Sequence, residues 1–446
     1  MRIDLPDTIK FMELLVKLTR CDVKVPITGV SLDSRKAKPG DLFIALIGDK
    51  VDGHKYLFQA AEKKCAAAIV SKPNNSIKIQ QISVDDPTTT ITEMGNKWRS
   101  SKSVEVTGIT GSNGKTTTKE LLLHIFSAWH FVHGTRGNYN THLGLPLTLL
   151  ELDSRHTQSF LEMGANHRGD IGHLCSLSLR RHGVITNIAP SHLSSFGSME
   201  TITKTKGELF KSLPENGKAF INNDDKAIKT IETNAEKITY GFSSESDYFG
   251  NLKWDDHGLI TLSINGEKVP TKSANKSFAK NVLAASVIAS TMGIPWEGIK
   301  KQINSFKGVK SRCEIIKKNG FTIIDDSYNA NLTSSLAALD YLFQVPTKGK
   351  RHFVFGDMLE LGVSSENHHR KIGVAASKIG VDHLYCYGPE SAVTAKSADG
   401  IESYHFDDKT SLLDSLRKSL KVGDIVLFKG SRGMSLESII KELDKI

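Results

Sequence analysis

The stretch Thr110-Gly-Ser-Asn-Gly-Lys-Thr-Thr-Thr-Lys-Glu120 follows the β-branched run Val104-Glu-Val-Thr-Gly-Ile109 and opens into an apolar pattern beginning at Leu121. That order predicts a strand, a loop of phosphate size and a helix. Gly111 and Gly114 carry no side chains to hold backbone N–H groups away from an anion, Lys115 supplies a positive charge, and Thr116 offers a hydroxyl to a magnesium ion. The run Thr110, Gly111, Ser112, Asn113, Gly114, Lys115, Thr116 and Thr117 is therefore read as an ATP-binding loop. It is a shortened form of the common one: the usual first glycine would stand at Ile109, and Gly108 lies one residue too early.

At 446 residues the chain is too long for one hydrophobic core, and two or three domains are expected. Its apolar runs are all shorter than a membrane span, and the start Met-Arg-Ile-Asp-Leu-Pro-Asp has no signal-peptide core, so a cytoplasmic protein is expected. Cys21, Cys65, Cys175, Cys313 and Cys386 are odd in number and lack paired spacing, which fits reduced thiols better than disulfides or a zinc site. The net charge of +9 is spread along the chain without a dense basic block, as for a solvated surface or a protein that handles anionic small molecules.

Three blocks follow one another. Residues 1–100 hold short strands at Asp41–Leu46, Ala66–Val70 and Ile79–Val84, as in a small α/β domain. In residues 101–308 the strands Ser159–Met163, Gly183–Ile188 and Ala219–Asn222 join the loop strand and alternate with helices, the last helix running from about Ala279 to Met292. In residues 309–446 the pattern restarts with Phe321–Asp326, Arg351–Gly356, His383–Tyr387 and Asp424–Phe428. Alternation of this kind predicts an α/β fold of three domains: a central, mostly parallel P-loop-type sheet with helices on both faces, a C-terminal Rossmann-like domain and a small N-terminal one. Open parallel sheets bind ligands at the carboxyl ends of their strands. Glu162 closes one central strand and His192 follows another, so a carboxylate and an imidazole stand where magnesium would meet a γ-phosphate held by Thr116 and its loop.

Over nearly its whole length the chain resembles the Mur ligases of peptidoglycan synthesis. The matching runs include Asp33-Ser-Arg35, Thr110 to Glu120, Gly137-Asn-Tyr-Asn140, Glu162-Met-Gly-Ala-Asn-His167, Ser191-His192 and Lys206-Gly-Glu208. Asp325-Asp-Ser-Tyr-Asn-Ala-Asn331, Gly356-Asp-Met-Leu-Glu-Leu-Gly362 and Lys429-Gly-Ser-Arg-Gly-Met434 look specific to the member that adds the terminal dipeptide. The resemblance implies an ATP- and Mg2+-dependent ligase in which the carboxylate of a UDP-N-acetylmuramoyl-tripeptide becomes an acyl phosphate, which the amine of D-alanyl-D-alanine then attacks. It implies catalytic roles for Lys115, Glu162, His192 and Lys206, with Thr116, Glu162, His192 and Lys206 at the metal. Lys206 matches a lysine that carries carbon dioxide as a carbamate. Asn281 matches an adenine contact, and Arg312 and Asp326 match phosphate- and ribose-side positions of the third block. Phe278 stands where relatives often carry another asparagine, and Leu332 where a proline commonly follows Tyr-Asn-Ala-Asn.

Substrate contacts are expected along the same division. Ser34, Arg35, Asp52 and His54 would hold the UDP portion, with Asn138, Asn140 and Thr141 reaching the pyrophosphate or sugar. Asn329 and Asn331 are expected among the substrate contacts; Arg432 would meet the carboxylate of the dipeptide, with Asp357 and Glu360 at its ammonium. No nucleic-acid partner is expected, and the protein is expected to be monomeric. Three alternatives compete with this reading. A P-loop motor would use Ile323-Ile-Asp-Asp326 as its second nucleotide motif, but that run opens the third block and no aromatic, basic stripe for bases accompanies it. A non-catalytic nucleotide scaffold leaves Glu162, His192 and Lys206 together without a role. Another Mur-type amino-acid ligase, or a folylpolyglutamate synthetase-like enzyme, would differ in the third-block runs.

Overall fold

A computed structural model describes residues 1–48 and 51–443. Among them the strands form three sheets, one in each block. The N-terminal sheet is Arg2–Asp4, Gly29–Ser31, Asp41–Ile44, Ala67–Val70 and Gln81–Ser83 in that order, parallel except for its first strand. The strand Arg2–Asp4 was not foreseen. It is fastened by a fork from Arg2, whose Nε and Nη2 donate to the two oxygens of buried Asp41 at 2.8 and 3.0 Å.

In the central sheet the loop strand Glu105–Thr110 lies between Gln158–Glu162 and His182–Ile185, parallel to both. Ile109 pairs with Glu162 and Thr110 with Ile185, so three strands end side by side and the turns after them share one edge. Gly108, the early glycine, lies inside the strand. Alternation of strand and helix stops beyond Glu236–Gly241: the strands Tyr248–Trp254, Ile260–Ile264 and Glu267–Pro270 extend the sheet, the last two antiparallel. This part of the block departs from the expected alternation because short tight turns, such as Asn265-Gly266 with both residues at positive φ, return the chain directly.

The helix Lys115–Phe126 buries Leu121, Leu122, Ile125 and Phe126 and packs against the helix Lys276–Thr291, which Asn275 caps by accepting from the amides of Ser277 and Phe278. A third helix, Met199–Lys211, buries Ile202, Thr205, Lys206, Leu209 and Phe210 on one stripe at helical spacing. Ile202, Leu209 and Phe210 contribute about 1.5–3 kcal/mol each through burial. Lys206 sits in the same stripe, and its burial holds an amine inside the domain.

The third sheet runs Glu314–Lys318, Phe321–Asp326, Ile425–Lys429, Arg351–Gly356, His383–Tyr387, Glu402–Phe406, parallel after its antiparallel first strand. Asp326 pairs with Lys429 in register, so the turns after both strands open on the same edge. Without a proline at Leu332, the helix Leu332–Gln344 starts on a capping box in which Asn331 accepts from Ser334 N at 2.9 Å. All five cysteines are free thiols.

Candidate active site

The carboxyl edges of the central and third sheets face each other across a cleft of about 1120 Å³. Its floor is the phosphate loop. Gly111 (φ +144°) and Gly114 (φ +82°) hold conformations that side chains disfavour, and a Cβ on them would stand 2.0 Å from Thr186 Oγ1 and 2.4 Å from Asn281 Oδ1. The glycines thus let the loop fold against Thr186 and let Asn281 reach the start of the helix. Two amides of the loop are already used, Ser112 N donating to Asn187 O and Asn113 N to Asn187 Oδ1, both at 2.9 Å. The donors left for an anion are those at the N-terminus of Lys115–Phe126, which have no acceptor within the helix.

Cations gather around this loop. Lys115 Nζ and Lys206 Nζ both donate to Gly111 O, at 2.7 and 3.2 Å, and Arg312 Nη2 donates to Thr116 Oγ1 at 2.8 Å. Burial lowers the pKa of Lys115, Glu162 opposes that, and Arg312 adds to it. Lys206, 2% exposed, is lowered well below the ordinary lysine value by burial and then by Lys115. Against these stands one carboxylate at the loop: Glu162 accepts from Thr116 Oγ1 and from Asn140 Nδ2, each at 2.8 Å, while its amide donates to Thr135 Oγ1 at 2.9 Å. His192, at φ +50°, meets Glu360 of the third block through Nδ1. Burial lowers the pKa of His192, Glu360 opposes the shift, and Lys115 and Lys206 reinforce it.

The third block is docked on the loop. Asn331 Nδ2 donates to Asn113 Oδ1 at 2.8 Å, Ser194 N donates to Glu360 O at 3.1 Å, and Arg312 reaches Thr116 as above. Gly111 to Thr117, Asn138, Asn140, Thr141, Glu162, His192, Lys206, Asn281, Arg312, Asp326, Asn329, Asn331, Glu360 and Arg432 all line the one cleft. The other expected site residues do not. Thr110 turns its hydroxyl back to Met163 O at 2.9 Å. Asp357, 2% exposed, accepts from Ser391 N at 2.7 Å, so its carboxylate is a buried fastening and not an ammonium contact in the cleft. In the N-terminal domain Ser34 is buried on Gln59, Arg35 is forked onto Asp33, and Asp52 accepts from the amide and Nδ1 of His54, whose Nε2 accepts from Ser71 N. All four side chains thus have partners within the N-terminal domain, and Arg35 stays exposed.

Lys429, Asn187 and Phe278 are among the cleft residues outside the expected set. Lys429, 2% exposed, pairs with Asp326 Oδ2 at 2.7 Å and donates to Asn329 O at 2.7 Å, so it fixes the turn on which Asp326 was expected to act. Asn187 anchors the loop amides. Phe278 stacks on Phe306 with centroids 6.0 Å apart and an interplanar angle of 11°. Lys429 opens the run Lys429–Met434 and Asn187 lies in the expected strand Gly183–Ile188; a lysine directly after the apolar strand Asp424–Phe428 was the available signal.

Behind the loop Asn138–Thr141, Arg136 Nη1 pairs with Glu151 Oε1 at 2.9 Å, while Glu151 Oε2 is buried with no hydrogen-bond partner among the described residues. Burial lifts this carboxyl to about 7 against Arg136, with Asp4 adding to the rise. A raised folded-state value means that the stability tied to this proton is full below the unfolded value and is lost as pH rises toward 7. Glu151→Gln is therefore expected to gain about 1–3 kcal/mol relative to the wild type on going from pH 5 to pH 8. Urea unfolding of both proteins at the two pH values checks this, and an unchanged difference contradicts it.

Family models cover the three blocks: "Mur ligase family, catalytic domain" matches residues 26–99, "Mur ligase middle domain" 109–289, and "Mur ligase, glutamate ligase domain" 311–432. The UDP-N-acetylmuramoyl-tripeptide–D-alanyl-D-alanine ligase of Bacillus subtilis is 34% identical over 98% of each chain, and that of Escherichia coli 33% identical over 94% of each. Among solved structures, MurF from Acinetobacter baumannii superposes with a TM-score of 0.87 at 28% identity over 98% of both chains. MurF ligase from Thermotoga maritima in complex with ADP gives 0.81 at 28% identity, over 93% of this chain and 97% of that one. A phosphate loop on a parallel sheet, a second sheet docked across it, and relatives matched from end to end place this chain in the Mur ligase family.

Proposed function

We propose that the protein joins D-alanyl-D-alanine to a UDP-N-acetylmuramoyl-tripeptide at the expense of ATP, as part of peptidoglycan synthesis. The observation that carries the reading is the single cleft in which the phosphate loop and Glu162 of one domain face Arg312, Asn329 and Arg432 of another. A carboxylate is a poor acyl donor. Its oxygen attacks the γ-phosphorus of ATP, the bond to the bridging oxygen breaks, ADP leaves, and an acyl phosphate remains. Lys115, Arg312 and the first amides of the helix Lys115–Phe126 oppose the charge crowded on the transferring group. The dipeptide amine then attacks the acyl carbon, the C–N bond forms, phosphate departs with the electron pair of the C–O bond, and the nitrogen loses a proton.

Magnesium fits the donor chemistry of the cleft. Thr116 and Glu162 present hard oxygen atoms 2.8 Å apart, and this cation takes one or two carboxylates with the rest of its shell from phosphate and water. Thr116 and Glu162 would hold it, with His192 and a carbamate on Lys206 alongside. When bound it offsets negative charge on the phosphates.

In this reading residues 1–100 take the UDP portion, 101–308 the nucleotide and 309–446 the dipeptide, within a cytoplasmic monomer. No helix among the described residues is long and apolar enough to cross a membrane. The test is phosphate release from ATP with the lysine- and the diaminopimelate-containing UDP-muramoyl-tripeptides, each with and without D-alanyl-D-alanine. Release and a dipeptide-extended product are expected only when both substrates are present. Turnover that ignores the dipeptide, or that requires a single amino acid instead, overturns the assignment.

A further inference from the structure

Tyr328 follows the strand Phe321–Asp326 and stands half-buried in the cleft. The guanidinium of Arg312 lies 4.1 Å from its ring centroid and that of Arg432 lies 5.7 Å from it. The two arginines come from distant segments, one ahead of the strand Glu314–Lys318 and the other in the turn after Ile425–Lys429. They also face different tasks: Arg312 donates to Thr116 on the phosphate loop, whereas Arg432 stands at the proposed dipeptide end, its Nη1 on Glu437 Oε1 at 2.9 Å.

Bonds from the main chain, one to a carbonyl and one to a side-chain oxygen, lace both segments to the same turn. Tyr328 N donates to Ser311 O at 3.3 Å, and Arg432 N donates to Asn329 Oδ1 at 3.4 Å. These bonds fix the backbones; each guanidinium then has its own polar partner, Thr116 or Glu437, and the Tyr328 ring is the contact that the two share. A ring face attracts a cation through its quadrupole, so one ring gives both guanidinium groups a common reference.

We propose that Tyr328 is a positioning residue for acyl transfer, setting the separation of Arg312 and Arg432 so that a dipeptide held by its carboxylate presents its amine to the acyl phosphate. This rests on the ligase reading. The bonds made and broken are those of that reaction; Tyr328 contributes only geometry, and a misplaced amine leaves the acyl phosphate to water, which restores the carboxylate and releases phosphate.

The test compares Tyr328→Leu, Tyr328→His and Tyr328→Phe with the wild type, measuring KM for ATP and for D-alanyl-D-alanine and the ratio of phosphate released to ligated product. Tyr328→Leu is expected to raise both KM values about tenfold and to release phosphate in excess of product. Tyr328→Phe keeps the ring face and is expected to stay within about twofold of the wild type, with one phosphate per product. Tyr328→His, with a weaker face, falls between and decides the matter if the leucine variant does not fold. A purely structural role would lower the melting temperature without disturbing the phosphate-to-product ratio. Wild-type KM values and unit stoichiometry in a folded leucine or histidine variant overturn the proposal, as does a phenylalanine variant as impaired as leucine. Wild-type enzyme that releases phosphate without needing the dipeptide removes the ligase reading itself.

Discussion

Replacing Lys115 with alanine is expected to reduce turnover about 10³-fold or more while leaving the melting temperature nearly unchanged. Kinetically, the lost interaction is a charge aimed at the group whose negative charge is redistributed as the phosphoryl moves, so the effect falls mainly on kcat. Structurally, little depends on Lys115: the only hydrogen bond its ammonium makes in the described structure is to Gly111 O, which also receives Lys206 Nζ at 3.2 Å. The carbonyl therefore keeps a donor. Single-turnover rates and thermal unfolding of Lys115→Ala check both halves, and near-normal turnover would remove this lysine from the mechanism.

The difference between those halves also explains what could be read before any coordinates. The phosphate loop was legible because its requirements are local: two glycines where side chains collide, a lysine and a threonine at a helix start, a strand before and a helix after. Glu162 and His192 were legible because parallel strands must end on one edge. Asp357 was not, since a Gly-Asp turn at the end of a strand looks the same whether its carboxylate faces a cleft or accepts from Ser391 N, a partner 34 residues away. The same ambiguity hid the Asp52–His54 pair. The antiparallel extension from Tyr248 to Pro270 escaped because alternation along a strand reports its faces and not the direction of its neighbour. Lys429 was hidden because it follows an apolar strand, and its burial is made tolerable by partners far away in sequence, the ion pair with Asp326 and the bond to Asn329 O.

Docking of the third domain on the loop carries a second consequence. Arg312 donates to the hydroxyl of Thr116, which itself donates to Glu162, so one short chain of hydrogen bonds links the third domain to the carboxylate beside the phosphate site. His192 and Glu360 form a second link on the other side of the cleft. Both meet the central domain through groups that the proposed mechanism places at the nucleotide, so in that mechanism domain docking and site assembly go together.

Lys206 is the residue on which the proposed chemistry is most exposed. It occupies a buried stripe between Ile202 and Leu209, shares one carbonyl with Lys115, and feels two influences on its ammonium that both disfavour charge. A neutral amine at this place is a nucleophile for carbon dioxide: nitrogen bonds carbon, a proton leaves, and the cation that crowded Lys115 becomes an anion that suits it. Lys206→Ala is expected to lose about 10²-fold or more in turnover and to regain part of it with millimolar acetate or formate, whose carboxylate enters the space left by the side chain. Lys206→Arg, which restores positive charge and cannot form a carbamate, should stay inactive with or without the acid. The wild type supplied with 13C-labelled bicarbonate should show a carbamate carbon resonance that is absent from Lys206→Ala, a readout independent of turnover. Full activity of the alanine variant, together with no such resonance, would leave Lys206 as a buried lysine whose part is to hold Gly111 in place.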